Sequence, residues 1–170
     1  MVDEIKDDLT RWFELEETKE VSGYTLQTKE YNEPNTPEIK KLFDWIESVI
    51  VEVVDKLSNG SNSLYSNLNR WQNKNFKIDA YWGLYYNSNS YVTPHSHFPH
   101  AVSFGYYINV PKGSSPFTLI INEEGNINYF PKEGQLFVFD SSIKHTVNPT
   151  PVVGRTVIAG DIVYLSRFGN

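Results

Sequence analysis

The 170-residue sequence predicts a mostly β protein with flanking helices, its strands arranged as an antiparallel sandwich or barrel. Two observations carry this. From about residue 75 onward, "FKIDAYWGLYYN", "AVSFGYYINV", "PFTLIIN", "NINYF", "GQLFVFD" and "GRTVIAGDIVYL" are short β-rich runs separated by Gly, Pro, Asn and Ser. Before that point the clearest apolar spacing is helical. No repeat, low-complexity tract or linker divides the chain, so residues 1–170 read as one domain. A mainly helical portion over 1–74 covers a β core over 75–170.

Residues 4–15 place Ile5, Leu9, Trp12 and Phe13 at helical spacing and predict a short amphipathic helix. Ser22 to Tyr31 is rich in β-branched and aromatic residues and reads as a strand or extended arm. The next helix is the best marked in the chain. Thr36 suits its N-cap, Pro37 its first position and Glu38 its first turn. Ile39, Leu42, Phe43, Ile46, Ile50, Val53, Val54 and Leu57 then form one apolar stripe, and "SNGSN" stops it. In "AVSFGYYIN" the alternation puts Ser103, Gly105 and Tyr107 on one face, small and polar. Val102, Phe104, Tyr106 and Ile108 form the other face, suited to packing on helices.

Composition narrows the chemistry. There is no cysteine, which excludes disulfides, thiolate metal sites and cysteine nucleophiles and fits a reducing cytoplasm. With 15 Lys and Arg against 21 Asp and Glu, and no dense basic cluster, nucleic acid is not an expected partner. No run approaches the ~18 apolar residues of a membrane span. The acidic start "MVDEIKDDLTRWFELEE" lacks the basic and apolar regions of a signal peptide.

Three of the four histidines crowd into "YVTPHSHFPHAVSFGYYINV". Alternate residues of an extended segment share a face, so His95 and His97 can point at one ion; His100 breaks that period and falls outside the ligand set. Farther on, "QLFVFDSSIKHTVNPTPVVGR" reads as a buried strand, a short loop, His145, another loop, and Arg155 opening the last long strand. An arginine in a β core needs an anionic partner. The candidates are Asp140, Asp161 or the carboxylate of a ligand.

The order of Trp82, His95, His97, Pro99, Ser103, Gly105 and Tyr107, followed by Gly134, Phe139, His145, Val147, Pro149, Gly154 and Arg155, resembles the Fe(II)- and 2-oxoglutarate-dependent oxygenases, and among them the small ones of phage and bacterial genomes. The match covers about residues 76–165. This resemblance implies a double-stranded β-helix, a jelly-roll or cupin-like barrel. It implies that His95, His97 and His145 hold Fe(II), that Arg155 clamps the distal carboxylate of 2-oxoglutarate, and that Tyr107 and Tyr85 contact this co-substrate. Trp82 is read as core. The implied reaction consumes O2 and 2-oxoglutarate, releases succinate and CO2, and hydroxylates a small-molecule or peptide substrate.

One departure matters. The family's usual H-x-D or H-x-E is here His95-Ser96-His97, and Asp79 and Asp140 are candidates for a carboxylate brought from elsewhere. Two alternatives follow. One is a cupin-like three-histidine dioxygenase without 2-oxoglutarate, although no Glu occurs between His97 and Glu123, where the cupin pattern expects one. The other is a non-enzymatic metal-binding β-barrel module.

Overall fold

The computed structural model describes residues 2–58, 75–121 and 125–165. The polar segment "SNGSNSLYSNLNRWQNKN" lies almost wholly outside the described residues. Helix α1 spans Val2–Leu15, strands β1 and β2 span Thr18–Glu20 and Thr25–Thr28, and helix α2 spans Pro37–Ser58. The remaining strands are β3 (Phe76–Tyr86), β4 (Val92–His95), β5 (Val102–Asn109), β6 (Phe117–Ile121), β7 (Gly125–Tyr129), β8 (Leu136–Asp140), β9 (His145–Val147) and β10 (Arg155–Tyr164). They form a six-stranded sheet, β1-β2-β3-β10-β5-β8, and a four-stranded sheet, β4-β9-β6-β7, with antiparallel pairing throughout. Two such sheets enclosing a pocket make a double-stranded β-helix. No helix among the described residues is long and apolar enough to cross a membrane.

Helix α2 begins where its capping residues predict. The Ile39 amide donates to Thr36 Oγ1 at 3.4 Å and the Lys40 amide to the Thr36 carbonyl at 3.0 Å. The first bond satisfies one of the amides that every helix start leaves without a partner, and the second is the first regular bond of the helix. Ile39, Leu42, Phe43, Ile46, Ile50 and Val54 are buried against the large sheet with Ile5, Leu9, Trp12 and Phe13 of α1. The sheet answers with Val102, Phe104, Tyr106 and Ile108, the apolar face that alternation assigns to β5. Gly83 permits the close approach of α1, because a Cβ there would stand 2.6 Å from the Phe13 ring.

The N-terminal portion is more than a helical cover. Strand β2 pairs with β3 and β1 with β2, so residues 18–28 extend the large sheet at its edge. Their chain reversal uses Gly23 at φ +53° and Tyr24 at φ +62°.

A change of phase in β3 shapes the inner face. In β3, Ala80 pairs with Asp161 and Ile78 with Ile162, which leaves Asp79 as an extra, bulged residue. Phe76 and Ile78 therefore join the helix-side core, while Ala80, Trp82, Leu84 and Tyr86 face the cavity between the sheets. Tyr86, Tyr107, Phe117, Leu119, Phe139, Val147 and Val157 form that inner core.

Candidate metal centre

His95 closes β4 and His145 opens β9, and the two are directly paired across the small sheet. His145 also pairs with Leu119 of β6 and is only 5% exposed. Its ring is held between Phe117 and Phe139, with centroids 5.2 and 4.7 Å away. His97 lies just past the end of β4, where its amide donates to the Ser141 carbonyl at 2.8 Å. One ligand atom from each of His95, His97 and His145 lies within 4.8 Å of the others, so the three can hold a metal ion.

Hydrogen bonding sets the tautomers. His95 Nδ1 donates to the Thr93 carbonyl at 2.8 Å, His145 Nδ1 to the Ile143 carbonyl at 3.2 Å, and His97 Nδ1 to Asp161 Oδ2 at 3.0 Å. Carbonyl and carboxylate oxygens only accept, so each Nδ1 carries the proton and each Nε2 keeps its lone pair. His95 Nε2 and His97 Nε2 stand 3.1 Å apart. Two lone pairs at that distance repel unless a cation sits between them. Nitrogens bound at right angles to one ion at ~2.1 Å would be about 3.0 Å apart, so the donor set fits a transition metal. Burial pushes the His145 pKa down to about 3, helped by the neighbouring His95. Burial lowers that of His95 as well. Both rings are thus held in the neutral form that metal binding requires.

His100 has a different role. Its Nδ1 donates to the His97 carbonyl at 2.9 Å and its Nε2 to Asp79 Oδ2 at 3.1 Å. Burial pulls its pKa down, but the His97 carbonyl, Asp161 and Asp79 outweigh this and raise it. A ring donating from both nitrogens has no lone pair for a metal, and His100 stands outside the cluster.

The expected carboxylates do not reach the cluster. Asp79 is the partner of His100, and Asp140 accepts from the Ser142 amide and hydroxyl at 2.7 and 2.6 Å, closing its own turn. The acid at the centre is Asp161, 4% exposed, which stands behind His97.

At the other end of the same cavity, of about 550 Å³, lies Arg155. Arg155 is 1% exposed, and its guanidinium pairs with neither Asp140 nor Asp161, the internal acids that the sequence offers it. Alternation puts Arg155 and Asp161 on one face of β10, but six residues of strand separate them by about 20 Å. Nη1 donates to the Ser115 carbonyl at 2.7 Å, the rings of Tyr86 and Tyr107 flank the group at 5.0 and 5.2 Å, and Nε has no hydrogen-bond partner. Tyr107 lines the cavity on the face that alternation assigns to it, and burial raises its pKa.

Tyr85 and Trp82 take faces of β3 opposite to those that the sequence predicts. Tyr85 is not in the cavity: it packs in the helix-side core, stacked on Phe13 with centroids 6.0 Å apart. Its neighbour Tyr86 takes the inward position. Trp82, read as core, lines the cavity and stacks on His97 at 5.5 Å and 14°. Alternation from Ala80 to Tyr86 requires Trp82 and Tyr85 to face opposite sides, and the tertiary packing sets Trp82 inward.

No protein-family model and no curated protein matches this sequence. Among solved structures, a Pseudomonas putida prolyl-4-hydroxylase is similar at TM-score 0.70 and 13% identity, covering 98% of this chain and 89% of that one. HygX of Streptomyces hygroscopicus, solved with nickel, 2-oxoglutarate and hygromycin B, is similar at TM-score 0.68 and 10% identity, covering 96% and 80%. The collagen prolyl hydroxylase of Paramecium Bursaria Chlorella virus-1, in its 2-oxoglutarate complex, follows at 0.63 and 13%, covering 98% and 92%. The chain has the double-stranded β-helix fold of the 2-oxoglutarate, Fe(II) oxygenases. At these identities the likeness is one of fold.

Proposed function

We propose that the protein is an Fe(II)- and 2-oxoglutarate-dependent oxygenase that hydroxylates a small-molecule or peptide substrate. The observation that carries this reading is Arg155, a buried guanidinium with an orphaned Nε, in the same cavity as three convergent histidines. A buried cation without an anion is costly, so the site calls for a carboxylate-bearing ligand. The solved structures of HygX and of the viral hydroxylase hold 2-oxoglutarate in the same fold.

In this reading His95, His97 and His145 hold iron through Nε2. Arg155 engages the distal carboxylate of 2-oxoglutarate, with Tyr107 and Tyr86 sandwiching the guanidinium and keeping water from it. Phe117, Phe137 and Phe139 wall the space near His145 and orient its ring. When bound, iron and 2-oxoglutarate supply the oxidation, with O2 consumed and succinate and CO2 released.

The test is anaerobic addition of Fe(II) and then 2-oxoglutarate to the purified protein. The expected result is the visible charge-transfer absorption of the chelate, followed by succinate formation on admitting O2. Iron-loaded protein that fails to bind 2-oxoglutarate at millimolar concentration overturns the reading. A three-histidine dioxygenase without 2-oxoglutarate is favoured by one observation, the lack of a carboxylate in the described cluster. It leaves Arg155 without an anionic partner, and the same titration separates the two.

A further inference from the structure

A carboxylate is present at this centre, behind the histidine that occupies the place where the H-x-D pattern would put an acid. Asp161 Oδ2 accepts the Nδ1 proton of His97 at 3.0 Å, and its Oδ1 accepts from Ser103 Oγ at 2.6 Å. Ser103 Oγ is in turn 2.7 Å from Ser141 Oγ, and the carbonyl of that same Ser141 receives the His97 amide at 2.8 Å. Ser103, Ser141 and Asp161 are all buried. The other two ligand histidines have only neutral backbone carbonyls on Nδ1. The arrangement is thus particular to the one histidine that stands where an acid is usual.

We infer that Asp161 is a positioning residue that supplies, through the imidazole of His97, the negative charge a carboxylate ligand would otherwise place on the metal. A carboxylate hydrogen-bonded to the far nitrogen fixes the ring's tautomer and orientation and raises its basicity as a ligand. The charge also offsets that of the ion, which three neutral imidazoles alone leave uncompensated. Trp82, stacked on the His97 ring, and the Ser103–Ser141 pair, which holds the carboxylate, leave His97 a single orientation. This inference rests on the metal site of the proposed function but not on its co-substrate.

The test is Asp161→Asn, which keeps the shape and an oxygen to accept the Nδ1 proton but removes the charge. Titration with Co(II) alone, without 2-oxoglutarate, is expected to show affinity reduced on the order of 10–100-fold, the usual loss for such an outer partner. The potential of the iron-loaded variant should rise, because losing a nearby anion disfavours Fe(III). A purely structural role moves neither in that way. Co(II) affinity within twofold of wild type together with an unchanged potential overturns the inference. Wild-type protein with no affinity for Co(II) overturns it along with the metal site itself. Should the variant fail to fold, the Zn(II)-loaded wild type is read by ¹⁵N-histidine NMR. His97 is expected to show the most downfield and slowest-exchanging Nδ1 proton of the three ligands. A His97 ring without that proton refutes the inference. Asp161-dependent Co(II) binding with no 2-oxoglutarate response would sink the oxygenase reading and leave this one standing.

Discussion

Arg155 and Asp161 share one face of β10 and stand at opposite ends of a single cavity. Each charged group has its own task. Asp161 backs a candidate metal ligand, and in the proposed function Arg155 receives the carboxylate of 2-oxoglutarate. Strand geometry keeps them too far apart to neutralise each other.

Arg155→Met keeps the aliphatic stem between Tyr86 and Tyr107 and removes the charge. Loss of a desolvated charge pair is expected to weaken 2-oxoglutarate binding by about 2–5 kcal/mol. The ligand-free variant should be no less stable than wild type, since an unpaired buried cation is removed. Arg155→Lys should recover only part of the binding, for want of the planar fork. Calorimetric titration and melting curves of the three proteins check this; a variant that melts lower yet binds 2-oxoglutarate normally contradicts it.

His145→Gln removes a candidate ligand, whereas His100→Asn removes a neighbour. Metal affinity should fall by more than the roughly 100-fold upper range for outer partners in the first. In the second, metal stoichiometry should stay at one per chain. Equilibrium dialysis with Co(II) reads both, and a His100→Asn protein that takes up no metal would put His100 back in the ligand set.

Acid should destabilise the ligand-free protein through His145. Its folded pKa, about 3, lies below the ~6.5 of an unfolded histidine. Between those values the unfolded chain binds the extra proton, so stability rises with pH and is lost on acidification from about pH 6.5 downward. The slope approaches about 1.4 kcal/mol per pH unit for such a group. His100 has the opposite sign: its raised pKa contributes stability at low pH that fades as pH rises through the folded value. Denaturant midpoints in chelator at pH 7, 6 and 5 should therefore fall less steeply for His145→Gln than for wild type. Equal slopes would mean His145 is not held neutral.

Gly83→Ala should cost about 1–3 kcal/mol, the usual penalty of overpacking. The added Cβ meets the Phe13 ring at 2.6 Å, on the contact between α1 and the sheet. Adding Phe13→Leu should recover part of that loss, a coupling that urea denaturation of the double variant detects.

Much of this was legible along the chain because it depends on neighbours in sequence. The cap Thr36-Pro37-Glu38 and the stripe from Ile39 to Val54 placed α2. Alternation alone sorted Ser103, Gly105 and Tyr107 from Val102, Phe104, Tyr106 and Ile108. Arg155 was marked by the cost of a guanidinium on an apolar strand. His95 and His97 could be paired by the two-residue period, although His97 lies beyond the strand and owes its place to the Ser141 carbonyl.

Other assignments needed the third dimension. Tyr85 and Tyr86 are adjacent aromatics of equal β propensity, and only the bulge at Asp79 and the packing of Phe13 decide which one turns inward. Strands β1 and β2 are short and polar, with no period of their own strong enough to announce that the edge of β3 would recruit them. Asp161 was visible as a buried acid, but its partner was chosen by the register of β10 against β3 and β5, which sets it behind His97 and far from Arg155. Local pattern thus determined most of the elements and which side chains share a face. Pairing register and sheet stacking, which join residues distant in sequence, decided which charges meet.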